Sequence, residues 1–108
     1  MSALRMSVKD FQILFDVNIP SRETCKSRVP VTENQKTFLH DAGLNVTGIT
    51  LKSQATVIIK EINRRKKFGL CDVKTVMLMQ EARVRHRTPY RIMTQKHAFQ
   101  LLSRRLYP

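Results

Sequence analysis

The sequence predicts a mainly α fold: a compact four-helix module of two helix pairs, preceded by an N-terminal element that is strand-like or helical. Three observations predict it. Apolar residues from Thr32 onward recur at helical spacing. Each run opens on a side chain suited to cap a helix, namely Thr32, Thr50, Asp72 and Thr94, and two runs close on Gly43 and Gly69. The 108 residues, 42% hydrophobic, suffice for one small core. With five Phe, two Tyr and no Trp, that core must be mostly aliphatic and Met-rich.

The N-terminal element is read from residues 11–19. Phe11, Ile13, Phe15, Val17 and Ile19 alternate with Gln12, Asp16 and Asn18, a period of two that favours a strand. The competing helix places Val8, Phe11, Leu14 and Phe15 on one face with Ser7 as cap. Pro20 ends either. Residues 20–31, with Pro20, Ser21, Arg22, Ser27 and Pro30, read as a polar linker, with a short second strand around 29–31 as an option. This divides the chain into residues 1–30, the strand-like element and its linker, and residues 31–108, a basic helical module.

Thr32 followed by Gln35 is a capping-box pattern and Gly43 suits a left-handed C-terminal position, so a helix is expected over 33–42 with Phe38, Leu39 and Ala42 inward. A loop over 44–49 follows. Thr50 is expected to cap the longest helix, ending at Phe68, with Leu51, Ala55, Ile58, Ile59 and Ile62 as its apolar stripe. Arg64, Arg65, Lys66 and Lys67 fill its last turn, where cations complement the helix dipole. Asp72 caps a helix over 73–82 carrying Val76, Met77, Leu78 and Met79. Residues 83–93 form an Arg-rich connector with Pro89. Thr94 caps a last helix over 95–106, with Ala98, Leu101, Leu102 and Leu106 inward. The two pairs echo each other. Thr32, Gln35, Leu39 and Gly43 resemble Asp72, Lys74, Leu78 and Ala82; Thr50, Ala55 and Ile58-Ile59 resemble Thr94, Ala98 and Leu101-Leu102 with a one-residue offset.

Charge is the strongest bulk signal. Twenty Lys and Arg against eight Asp and Glu give +12. Residues 1–63 carry 8 basic and 6 acidic side chains; residues 64–108 carry 12 basic and 2 acidic, a net of +10. Such a field attracts polyanions and gains from counterion release. No stretch approaches the roughly 18 apolar residues of a membrane span, and residues 1–10 lack a secretory apolar region, so a cytoplasmic protein without membrane partners is expected.

The stretch from Thr32 to Leu106 resembles small helical modules at the C-terminal ends of bacterial and phage superfamily-two (DEAD/DEAH-type) helicases and of some exonucleases. The matching residues are Thr32, Gln35, Leu39 and Gly43; then Ala55, Thr56, Ile59, Glu61, Ile62, Arg65, Lys66, Gly69 and Leu70; then Asp72, Lys74 and Leu78. Residues 31–82 follow the pattern well and 92–106 loosely. Asp72 replaces a capping Thr, Thr75 replaces a Gln, and Ala82 replaces a Gly. The resemblance implies accessory nucleic-acid binding, or docking on a larger helicase or nuclease, and not catalysis.

The residues expected to contact nucleic acid, DNA before RNA, are Arg64, Arg65, Lys66 and Lys67 at the helix end, Lys74, the connector's Arg83, Arg85, Arg87 and Arg91, Lys96, and Arg104 and Arg105. Arg suits bidentate phosphate contact, and Tyr90 is placed to stack on an unpaired base. The helix after Gly69 offers only Lys74 and Gln80 as polar readers, so backbone contact with little sequence preference is expected over helix-turn-helix base reading. No enzyme is expected: no paired carboxylates, P-loop or Gly-rich cradle occur. No metal or other cofactor is expected either, since His40, His86, His97, Cys25 and Cys71 match no ligand spacing. The alternative function starts from the strand. Its edge would need a partner, through Phe11, Ile13, Phe15 and Val17, either a second copy or the sheet of a nucleic-acid-processing enzyme.

Overall fold

A computed structural model describes residues 5–21, 23 and 28–106, the last two without their side chains. Among the described residues five α-helices run in order: α1 Val8–Phe15, α2 Glu33–Asp41, α3 Lys52–Lys67, α4 Val73–Glu81 and α5 Gln95–Leu106. Among the described residues there is no strand, only three isolated bridges, Met6 with Leu44, Pro30 with Leu51 and Leu70 with Thr94.

The strand expected over 11–19 is corrected to helix α1. Ser7 Oγ accepts from the Asp10 amide at 3.1 Å, capping the first turn. Phe11 and Phe15, four residues apart, share one buried face with ring centroids 4.9 Å apart. A strand would have buried Ile13 on the same side; instead Ile13 is 66% exposed. Alternation lost because no neighbouring strand offers a ladder. The 29–31 segment bonds to the entry of α3, with the Val31 amide donating to Thr50 O at 3.1 Å and Lys52 to Val29 O at 2.8 Å. Asp16 ends α1 in the left-handed region, φ 53°.

The capping box of α2 forms as expected: Thr32 Oγ1 accepts from the Gln35 amide, and Gln35 Oε1 from the Thr32 amide, both at 3.1 Å. Thr50 does not cap α3. The helix starts at Lys52, and Gln54 Oε1 accepts from the Thr50 and Leu51 amides at 3.2 Å each. Asp72 caps α4 by accepting from Thr75 N at 2.8 Å. Thr75 is too short to return a bond to the Asp72 amide. Gln95 of α5 supplies it, with Oε1 accepting from Asp72 N at 3.0 Å and Nε2 donating to Thr75 Oγ1 at 2.9 Å. The start of α4 is thus tied to the start of α5.

The two pairs repeat each other's backbone bonds at a spacing of 40 residues. Leu44 N donates to Leu39 O and Val84 N to Met79 O, both at 3.0 Å; Gly43 N reaches His40 O and Arg83 N reaches Gln80 O. Gly43 and Arg83 both have positive φ, 99° and 53°. The partners in the echo are therefore Met79 and Arg83, one residue beyond the Leu78 and Ala82 that sequence similarity suggests. In the second helices, Leu51 matches Thr94, since each forms the bridge. Ala55 and Ala98, both fully buried, keep the same offset.

One core joins all five helices. It includes Met6, Phe11, Phe15 and Ile19 with Leu39, Leu44, Ile58, Val76, Met79, Met93 and Leu102. The N-terminal element is therefore part of the helical module, not a separate unit at residues 1–30. Phe38, expected inside, is 41% exposed, and Leu78, one of the apolar residues of α4, is 51% exposed.

Candidate nucleic-acid interface

Three sequence-predicted contact residues are redirected by the fold. Arg65 is only 2% exposed. Its Nε donates to Cys71 O at 2.8 Å, Nη2 to Tyr90 O at 2.6 Å and Nη1 to Arg91 O at 3.0 Å. Nη1 lies 3.6 Å from Glu61 Oε2, and the guanidinium stands 4.1 Å from the centre of the Phe15 ring. This arginine joins α1, α3 and the connector from within and is not free for phosphate. Arg64 is bound bidentately by Glu61, at 2.8 and 2.7 Å, which raises its pKa and offsets its charge. Tyr90 is buried, packed 4.5 Å from the His86 ring, so it is no stacking platform. The Arg105 side chain lies outside the described residues.

The partner-binding set is corrected likewise. Phe11 and Phe15 are core, Val17 packs against it, and only Ile13 faces outward. An edge-strand dimer through these residues has no strand to use.

The remaining cations make up the candidate interface. Lys66, Lys67, Lys74, Arg83, Arg85, Arg87, Arg91, Lys96 and Arg104 are all exposed. None has a carboxylate partner among the described residues, where the only arginine and lysine ion pairs are Lys36–Glu33 and those of Arg64 and Arg65 with Glu61. The connector carries the densest row. Val84, His86, Thr88 and Tyr90 turn inward while Arg83, Arg85, Arg87 and Arg91 turn outward. Residues two apart in an extended chain stand roughly 6.6 Å apart on the same side. The row is held in place: Val84 N is bonded to Met79 O, His86 Nδ1 lies 2.6 Å from Thr88 O, and Met93 is fully buried.

Lys66 and Lys74 flank a groove of about 450 Å³ between the ends of α2 and α3 and the start of α4, with Ile62, Leu70 and Val73 in its walls. Sequence reasoning missed Phe68, which follows the four cations and is 62% exposed. The signal was present: a large aromatic between a basic run and the glycine that ends the helix.

The Cys71 thiol, fully buried against Arg65, has its pKa pushed up chiefly by burial, as does the Tyr90 phenol. Both remain protonated at neutral pH. His40, His86 and His97 lie on α2, the connector and α5; Cys25 is outside the described residues. No helix among the described residues is long and apolar enough to cross a membrane. No protein-family model matches the chain, and neither a curated protein nor a solved structure matches it.

Proposed function

We propose that this protein is a non-catalytic nucleic-acid-binding accessory factor that holds phosphates through its basic surface with little sequence preference. The observation that carries this reading is the outward row Arg83, Arg85, Arg87 and Arg91, four guanidinium groups on a connector pinned to the core and without carboxylate partners among the described residues. Unpaired surface cations keep a large charge exposed to solvent, and a polyanion neutralises it while releasing its own counterions. Arginine's planar fork fits phosphate oxygens in pairs. Lys66, Lys67, Lys74, Lys96 and Arg104 extend the field beyond the connector. The helix α4 presents few polar readers to base edges, being largely turned to the core through Val73, Thr75, Val76 and Met79. Backbone contact is therefore favoured over base reading. DNA is the first ligand to test, in the cytoplasm, where the protein would serve a larger helicase or nuclease.

The triple substitution Arg83→Ala, Arg85→Ala, Arg87→Ala tests the reading. Electrophoretic shift assays on unrelated DNA sequences should show weaker binding by about the same factor for each, and the salt slope should fall by about 1 per lost contact. Unchanged affinity would refute the connector's role. Loss confined to one sequence would replace backbone contact by base reading.

A further inference from the structure

Resting on that reading, we propose that Phe68 is a stacking platform for an unpaired base, so that the preferred ligand is a single strand. A phenylalanine at the end of a helix ordinarily turns toward the core, yet this ring is 62% exposed while Phe11 and Phe15 are buried. Charge suited to a polyanion adjoins it in sequence, since Lys66 and Lys67 precede it directly at the end of α3. Lys67 Nζ is 5.7 Å from the ring centre, near the outer limit of about 6 Å for a cation–π contact, and leaves most of the ring open. The next residue, Gly69, has no atom within 4 Å of where a Cβ would stand, so a ligand can approach the backbone beside the ring. Gly69 and Lys66 also line the groove, with Lys74 across it. A strand stacked on Phe68 therefore has Lys67 beside the ring, and Lys66 and Lys74 along the groove that Gly69 also lines, to take the flanking phosphates. A duplex presents no unpaired face for the ring. An anionic lipid surface would also accept an exposed aromatic beside cations, but the groove offers separated phosphate partners, which fits a chain of nucleotides better.

The sequence contains no Trp, so Phe68→Trp introduces one fluorophore at the platform. Its emission should be quenched by oligo-dT, and not by a duplex or by heparin, which supplies charge without bases. Phe68→Ala should bind oligo-dT about tenfold more weakly, with duplex and heparin binding unchanged. Circular dichroism of both variants should match the parent, because the replaced ring is exposed. If the parent binds single strands and duplexes alike and neither variant differs, the platform is refuted while the basic surface stands. If the parent binds no nucleic acid even at low salt, the underlying reading fails as well. Quenching or spectral shift by vesicles containing phosphatidylserine, with none by oligo-dT, would also overturn the proposal.

Discussion

Arg65 carries a charge that the fold spends on itself. Its guanidinium meets three backbone carbonyls, Glu61 and the Phe15 ring, at the point where α1, α3 and the connector converge. Truncation would leave these carbonyl acceptors without donors and take one of two cations from the mostly buried Glu61 carboxylate, which keeps Arg64. Arg65→Ala should therefore cost about 3–5 kcal/mol. Arg65→Lys should recover only part of it, because an ammonium cannot span three acceptors held in a plane. Urea denaturation measures both, and a parent-like midpoint for Arg65→Ala would contradict the assigned role. Cys71 and Tyr90, beside it, titrate higher in the folded state than in the unfolded chain. The unfolded thiol and phenol ionise near their ordinary values of about 8.5 and 10. Their contribution is complete below those values and is lost as pH rises from them through the higher folded values, since the unfolded state then binds fewer protons. The thermal midpoint should begin to fall above about pH 8.5 through Cys71 and fall further above about pH 10 through Tyr90, and Cys71→Ala should flatten the lower part of that fall.

The helices show which local signals govern. Thr32 with Gln35, Asp72 and Thr94 formed the caps their side chains allow, since each is a bond between residues three apart. Thr50 failed because α3 starts one residue later, after Leu51, with Gln54 reaching back to the Thr50 and Leu51 amides. Residues 11–19 carry both periodicities, and the choice depended on tertiary partners. Burying Phe11 and Phe15 together under Arg65 suits a helix; a strand had no neighbour. Along α4 the inward face is Val73, Thr75, Val76 and Met79, and the turn at Gly43, just past α2, crosses close to Val73 and Lys74 at its start. That crossing also predicts a difference between two glycines. Both have positive φ, so Ala strains either, by about 1 kcal/mol or more. At Gly43 an added Cβ would also stand 3.1 Å from Lys74 Cγ and 3.4 Å from Val73 Cγ1; at Gly69 it meets nothing within 4 Å. Gly43→Ala should lower stability more than Gly69→Ala in thermal denaturation, and the reverse order would contradict the packing.

At the scale of the whole molecule, residues 64–108 hold a net charge of +10 while the core reaches back to Met6. The charge asymmetry was legible because it is a count. Which cations remain usable was not. That depends on Glu61 claiming Arg64 and on the interior claiming Arg65, both contacts made by the fold. Nor was the integration of the N-terminus, which follows from the packing of Phe11, Phe15 and Ile19. Removing residues 1–19 forfeits burial of Met6, Phe11, Phe15 and Ile19, at about 1.5–3 kcal/mol each. That total is comparable to the roughly 5–15 kcal/mol that stabilises a typical domain. The truncated chain should lose its helical circular dichroism and cooperative melting; a folded, cooperatively melting remainder would show that α1 is an appendage.

The proposed binding of a polyanion by the folded protein is tested most directly by the dependence of DNA affinity on salt. Fluorescence anisotropy with a labelled oligonucleotide, titrated at several sodium chloride concentrations, gives the slope of log affinity against log salt. Several simultaneous phosphate contacts predict a linear, steep fall, with a slope of about −0.7 to −0.9 per contact. A flat response, or no binding at low salt, would contradict the account.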